Sequence, residues 1–489
     1  AGADGLLWDP SGDERRLADE IDARERAGSQ LLGSYLEALA RDERHESWRT
    51  LYRLPPGVID RMRRTTLDEQ HRSWLRRLPK ADLHCHLGGV LGIDAQRRVA
   101  RAVWEAAEHP QRSRAEDRVR GWLERGFWPP DWRKQLHDLE QERPFAAARL
   151  LLELDTHVLE QLLFGPTEPR VALAERDFSL YEQPGELSGS ALLSHPAALR
   201  AYVEEIVALA QRDGIRYLEL RGSPHKYVQD PESEVDWLRA LENAFTRAIA
   251  SSGQKLTVTF LVIADRRSEA SAGLVVQRAV DAKLEMPDFV AGLDLAGDER
   301  AQSPEAFVKD FLPAFEACLP VTVHAGEGHE RPKAENIWKA VYHLHADRVG
   351  HGLRLADQQR LRERFRDRGI CLELCPTSNV EVVGFCDPAR ADTQDLPRYP
   401  LLNLWRSGVP VAICSDNPGI SRTDITNEYL VAARLCGELT VWDALAIHKQ
   451  GFRRAFLPAR QREELLKEVD AKVYRLCLEG LEETADGPV

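Results

Sequence analysis

His84 and His86 stand one residue apart at the end of an apolar run, Ala81 to His86. In a strand, alternate side chains share a face, so both imidazoles are presented together, and two imidazoles at that spacing can hold one metal ion. Taken alone, the pair reads equally well as two structural histidines. Three more polar clusters follow apolar runs. His324-Ala325-Gly326-Glu327 offers a third imidazole and, past a turn that Gly326 permits, a carboxylate aimed at a substrate. Ser415-Asp416-Asn417-Pro418 offers a carboxylate on Asp416, and Gly350-His351-Gly352 offers a fourth imidazole. Three histidines and an aspartate leave room for water in an expanded zinc sphere, and zinc makes hydroxide available near neutral pH. His351 suits the task of orienting or deprotonating that water. Any one histidine is more often structural, and His225, His329, His343 and His345 are read that way. Four polar clusters on four strand ends are harder to assign to coincidence, because an apolar core has no use for an unpartnered Asp416 or Glu327.

The elements that must carry these clusters alternate. Short β-branched runs are expected as strands at Ala81 to His86, Tyr217 to Arg221, Leu256 to Ile263, Val290 to Leu295, Val321 to His324, Arg348 to His351, Ile370 to Cys375 and Val409 to Ser415. Helical stretches lie between them, Ala197 to Arg212 before Gly214 being the clearest. Eight strands alternating with helices predict an α/β fold, a TIM-type (β/α)8 barrel, with an open doubly wound sheet as the alternative. In such a barrel the active site lies at the C-terminal strand ends, where the clusters fall. Residues 1–77 read as a helical N-terminal extension, with Ser11 and Glu14 at capping-box spacing. The barrel domain is expected over 78–435, with C-terminal helices over 436–489. A helical insertion follows the first strand, about 92–200, with Trp104, Trp122, Trp128 and Trp132 and a turn at Trp128-Pro-Pro-Asp131. It is placed to cover the barrel mouth or to meet another subunit.

Bulk properties narrow the classes. The 489 residues exceed the roughly 250 that one barrel needs. Hydrophobic residues make up 43% and charged residues 30%, as in a soluble globular protein. No apolar run reaches the ~18 residues of a membrane span, and no secretory signal opens the chain, so a cytoplasmic protein is expected. The net charge of −13 argues against general nucleic-acid binding. Cys85, Cys371, Cys375 and Cys414 lie in apolar segments, and the eight cysteines read as reduced thiols; Cys371 and Cys375 make only a weak metal pair. The chain begins at Ala1, which fits a processed chain or a domain cut from a longer one.

Six motifs then become specific together: Leu78-Pro-Lys-Ala-Asp-Leu-His-Cys-His86, Leu293-Asp-Leu-Ala-Gly-Asp-Glu299, His324-Ala-Gly-Glu327, Arg348-Val-Gly-His-Gly352, Cys375-Pro-Thr-Ser-Asn379 and Ser415-Asp416. In this order they resemble the adenosine deaminases of the amidohydrolase superfamily, over about residues 78–435. The resemblance implies one zinc per chain on His84, His86, His324 and Asp416, with no lysine at the fourth strand end to bridge a second metal. It implies that Glu327 protonates purine N1, that His351 orients and helps deprotonate the attacking water, and that the Gly297 N–H meets N3.

Two departures bear on substrate. The N7-binding aspartate of the family is Asn417 here, whose amide still offers donors. The aspartate that meets the ribose 5′-hydroxyl is Gly88, followed by Gly89. Losing that carboxylate predicts a 5′-phosphorylated substrate, AMP or ATP, with Arg221, Lys226, Arg266 and Arg267 as phosphate partners. Structural ion pairs are the alternative for each of these. The pattern also resembles the deaminase domain of CRISPR-associated adenosine deaminases, which act on ATP, assemble as oligomers and carry a nucleotide-sensing domain. A homo-oligomer, an antiviral role and a sensor domain outside this chain are therefore expected. The competing functions are a purine-salvage adenosine deaminase, a zinc amidohydrolase cutting a cyclic amide or ester, a non-catalytic scaffold and a nucleic-acid editor.

Overall fold

The computed structural model describes residues 12–124, 132–165, 170–173, 178–228, 230–268, 271–328 and 331–485. Ser11, Trp128 to Asp131 and His329 lie outside them. Two compact units are present, 1–47 and 48–489. In the first, Gly12–Arg44 is one helix, on which Leu17, Ile21 and Leu32 are exposed.

The second unit is built on eight parallel strands: β1 (Lys80–His86), β2 (Ile215–Gly222), β3 (Thr257–Asp265), β4 (Val290–Ala296), β5 (Val321–Ala325), β6 (Arg348–His351), β7 (Cys371–Leu374) and β8 (Val411–Ile413). Each pairs with the next in sequence order. The ring closes where β8 runs on to Asp416, whose N–H donates to the His84 carbonyl at 2.7 Å while the His86 N–H donates to the Asp416 carbonyl at 2.8 Å. This is the (β/α)8 barrel expected from the alternation. The strands are buried on both sides by the barrel interior and the outer helices, which is why they read as continuous apolar runs. The last strand is shorter than its apolar run: Pro410 has no N–H for the ladder, and Asp416 takes a left-handed backbone (φ 59°) that turns the chain onto β1.

The interior departs from the branched-aliphatic filling usual for this fold. A connected set of charges crosses it. Arg348 pairs with Glu219 and with Glu373 (2.7 Å), and Arg221 bridges Glu373 (3.0 Å) to Asp294 (2.9 Å). All five side chains are shut off from solvent. Burial pushes the Glu373 carboxyl up, but Arg221 and Arg348 outweigh it and hold the group at about 2. Asp294 likewise ends below its ordinary value, burial being overcome by His324 and Arg221.

The described part of the chain between β1 and β2 is mainly helical, with Ile93–Ala106, His109–Leu123, Arg143–Glu153, Thr156–Phe164 and Pro196–Arg212 as its longer helices. After β8 come Ile425–Cys436, Val441–Arg453 and Ala459–Ala485. All eight cysteines are free thiols.

Candidate active site

The charged interior ends in the histidines. Glu373 accepts from His84 Nδ1 at 2.8 Å, and Asp294 accepts from His324 Nδ1 at 3.0 Å. A ring whose Nδ1–H is held by a carboxylate keeps its lone pair on Nε2. The freed atoms converge. His86 Nε2 lies 3.2 Å from His324 Nε2 and 3.4 Å from Asp416 Oδ1, and His84 Nε2 lies 3.6 Å from the same Oδ1. Two nitrogens, each about 2.0–2.1 Å from one tetrahedral zinc, stand about 3.4 Å apart, so these spacings suit a shared ion. His84 Nε2 is buried without a hydrogen-bond partner, an orphan that a cation would satisfy. Burial, aided by Arg221, drives the His84 ring well below its ordinary pKa, and burial with His324 does the same for His86, so both stay neutral. The donor set therefore fits a metal ion, which His84, His86, His324 and Asp416 could hold.

Glu327, His351 and Asp416 form a second group whose donor atoms lie within 4.8 Å of one another. Glu327 follows β5 on a turn that Glu299 fixes: its carboxylate accepts the Gly326 N–H at 3.0 Å and the Glu327 N–H at 2.7 Å. His351 Nε2 stands 3.6 Å from Glu327 Oε2. His351 has a left-handed backbone (φ 60°), as Asp416 does, and two non-glycine residues in that region beside one cavity are strain retained at a site.

These groups floor a cavity of about 320 Å³. Its wall includes Phe178, Tyr181, Glu182, Gly185, Glu186 and Gly189, so the insertion covers the mouth. Gly88 lines it too. Gly88 and Gly189 touch backbone to backbone: a Cβ on Gly189 would come within 2.8 Å of Gly88 Cα. The close approach thus rests on Gly189, since a Cβ on Gly88 would meet Gly189 Cα only at 3.4 Å. The Gly297 backbone reaches the cavity at φ 93°, and a Cβ there would meet Asp265 Oδ1 at 2.4 Å.

The four basic candidates separate. Arg221 belongs to the buried ion-pair layer and also donates to the Leu83 carbonyl at 2.5 Å. Arg266 is buried with its Nη2 on the His324 carbonyl at 2.5 Å. Both side chains are buried and engaged by protein groups, although Arg221 also borders the cavity. Lys226 and Arg267 do line the cavity, and both are engaged: Lys226 donates to Asp265 at 2.8 Å, and Arg267 bridges Asp265 (3.0 Å) and Glu182 (2.7 Å). Asn417 Nδ2 donates to Asp416 Oδ1 at 2.7 Å and to Tyr181 Oη at 3.3 Å.

Sequence reasoning missed Glu373, Asp294, Glu299, Asn379 and Tyr181. The first two carry a legible signal, a single acid within an apolar strand (Leu372-Glu-Leu374, Leu293-Asp-Leu295). Tyr181 carries none: it comes from the insertion and hydrogen-bonds Asp416 Oδ2 at 3.2 Å. Burial holds its hydroxyl proton on by pushing the phenol well above its ordinary pKa.

Residues 168–472 match the family model for adenosine deaminase. The chain belongs to the adenosine deaminase family. It is 30% identical over 281 residues to the adenosine deaminase of Pectobacterium atrosepticum, covering 58% of this chain and 79% of that one. Among solved structures it resembles a zinc-bound amidohydrolase from Burkholderia ambifaria (TM-score 0.59, 18% identity, 86% of this chain and 99% of that one). It also resembles an N6-mAMP deaminase from arabidopsis (TM-score 0.57, 21% identity, 82% and 99%). Family membership makes this chain a hydrolytic deaminase. Among the described residues, no helix is long and apolar enough to cross a membrane.

Proposed function

We propose that this deaminase replaces the exocyclic amine of an adenine ring by oxygen, with one zinc ion held by His84, His86, His324 and Asp416. The observation that carries the proposal is the convergence of three Nε2 atoms and Asp416 Oδ1, with an orphaned His84 Nε2, beside Glu327. When bound, the metal supplies Lewis acidity and makes a water nucleophilic near neutral pH. The protein does the rest. Glu327 stands where it can give a proton to N1, which makes C6 electrophilic. His351 lies beside it to hold the attacking water. The Gly297 N–H meets N3, and Asn417 reaches N7 by giving up the N–H now donated to Tyr181. Ammonia leaves as the C6 oxygen becomes a carbonyl.

The preferred substrate in this reading is a 5′-phosphorylated adenine nucleotide, AMP or ATP. Gly88 presents no carboxylate to repel phosphate, and Lys226 and Arg267 line the same cavity. A phosphate would exchange with Asp265 and Glu182 as their partner. One observation favours the nucleoside instead: the rim sets Asp265, Glu182 and Glu186 against two cations. An ATP-directed, CRISPR-associated role and homo-oligomeric assembly belong to the same proposal and rest on the motif resemblance alone; a cytoplasmic setting joins them on the free thiols of all eight cysteines.

The test is ammonia release by zinc-loaded protein from adenosine, AMP and ATP in parallel, with Glu327→Ala as the blank. Preference for a nucleotide that Lys226→Ala abolishes supports the phosphate reading. Preference for adenosine, unchanged in Lys226→Ala, overturns it in favour of the nucleoside. No ammonia from any of the three overturns adenine deamination itself.

A further inference from the structure

His351 Nδ1 lies 2.9 Å from Asn379 Nδ2. Which of the two carries the hydrogen is decided by the other end of the amide. Asn379 Oδ1 faces the Cys375 backbone N–H at 3.3 Å and the Tyr399 hydroxyl at 3.0 Å. A backbone N–H can only donate, so this end of the amide must be the oxygen. The other end is then NH2, which can only donate, and His351 Nδ1 must accept. Asn379 and His351 are both buried, Asn379 completely, and no solvent reaches this bond to offer an alternative partner. An accepting Nδ1 carries no hydrogen, so the one hydrogen of the neutral ring sits on Nε2, the nitrogen that faces Glu327.

We infer that Asn379 is a positioning residue that locks His351 in the Nε2–H tautomer, so that His351 donates a hydrogen bond to the oxygen of the attacking water and does not take its proton. This deepens the proposed deamination and revises the role that family resemblance implies for His351. The proton balance then runs through Glu327. Its carboxylic acid gives a proton to N1 and becomes a carboxylate. The water oxygen bonds to C6 and releases one proton to that carboxylate. The same proton passes to the departing amine, which leaves as ammonia, and the proton left on the C6 oxygen passes to Glu327, so that the oxygen becomes a carbonyl and the acid is restored. The Cys375-Pro-Thr-Ser-Asn379 segment is thereby tied to chemistry: its first residue orients the amide that its last residue presents to His351.

The test is 15N NMR of the histidine rings in the whole protein, with the His351 signals assigned by their loss in His351→Gln and zinc content measured alongside. The wild-type ring is expected to carry its hydrogen on Nε2 with Nδ1 bare. Asn379→Asp, whose carboxylate can only accept, moves the hydrogen to Nδ1; kcat falls at least tenfold while KM stays within about twofold. A wild-type ring with hydrogen on Nδ1 and a bare Nε2 overturns the inference, and this reading is decisive even where Asn379→Asp does not fold. Unaltered kcat in a folded Asn379→Asp whose ring has changed tautomer also overturns it. The ring assignment needs no turnover, so failure to deaminate adenine substrates sinks the proposed function without touching this result.

Discussion

Replacing Glu373 by glutamine tests whether the buried charges exist to hold the histidines. Glu373 serves four donors: Oε2 accepts from His84 Nδ1 (2.8 Å) and Arg221 Nη2 (3.0 Å), and Oε1 accepts from Arg348 Nε (2.7 Å) and Thr322 Oγ1 (3.0 Å). A glutamine amide has one accepting end. If its NH2 lies at the Oε1 position, Thr322 can rotate to accept, but Arg348 Nε is left facing a donor. If it lies at the Oε2 position, Arg221 loses an acceptor and His84 must turn its tautomer over, accepting on Nδ1 and carrying hydrogen on Nε2. That hydrogen points where the metal would sit. Either way a charge-assisted bond of about 1.5–3 kcal/mol is lost and a buried arginine is left short of negative charge; breaking such a pair costs about 3–5 kcal/mol. Urea unfolding of the metal-free protein should register that loss as a lower midpoint at unchanged slope.

Zinc affinity, measured by competition with a chelator, should fall about 10–100-fold, the usual effect of losing a carboxylate behind a histidine ligand. The wild type should also lose stability in acid where the variant does not. Glu373 is held at about 2 in the folded chain against an ordinary 4.5, so its contribution is complete above pH 4.5 and disappears as pH falls through that interval. A Glu373→Gln protein with the wild-type urea midpoint and wild-type zinc affinity would refute the reasoning.

Tyr181→Phe removes the hydroxyl between Asp416, Ser421 and Asn417; kcat/KM should drop about tenfold (~1.4 kcal/mol) with the melting temperature within a few degrees of wild type, and an unchanged kcat/KM would deny the insertion a part in the site. In Gly89→Ala the new methyl would stand 2.0 Å from Asn417 Oδ1, so Asn417 must move; steady-state kinetics should show a KM for the purine raised at least tenfold, and thermal melting a loss of about 1–3 kcal/mol. Glu428 is pushed up to about 8 by burial, against an ordinary 4.5, while Thr377 and Thr423 hydrogen-bond it. The folded chain therefore holds an extra proton between those values, and this contribution to stability is full below pH 4.5 and lost as pH rises toward 8. Glu428→Gln imitates the protonated acid, so its urea midpoint should vary less than that of the wild type across this range.

What the sequence made legible follows from what strand periodicity can carry. All eight strands were found within about two residues because parallel strands buried on both faces are apolar throughout. His84, His86, His324, His351 and Asp416 were found because polar residues at the ends of such strands have no packing role to explain them. Gly88, Lys226, Arg267, Gly297 and Asn417 do meet at one cavity, which the buried Arg221 also borders. Arg221 and Arg266 read as mouth residues from their places near the ends of β2 and β3. Whether an arginine there points up to solvent or down into the barrel depends on acids carried by other strands, Asp294 and Glu373 for Arg221. No local pattern encodes that. Tyr181 was illegible for the same reason, since it meets Asp416 across 235 residues of chain.

The charged interior and the site are one construction. Positive neighbours keep two carboxylates ionised in a place where burial would otherwise protonate them: Arg221 with Arg348 holds Glu373, and His324 with Arg221 holds Asp294, below their ordinary values. Only an ionised carboxylate accepts without ambiguity, and each of these accepts the Nδ1–H of one histidine. Arg221, which pairs with both carboxylates, therefore helps to set the lone pairs of His84 and His324. A barrel filled with leucine and valine would be easier to stabilise but would leave those rings free to choose a tautomer. The cost of burying the charges is repaid in the direction of two lone pairs.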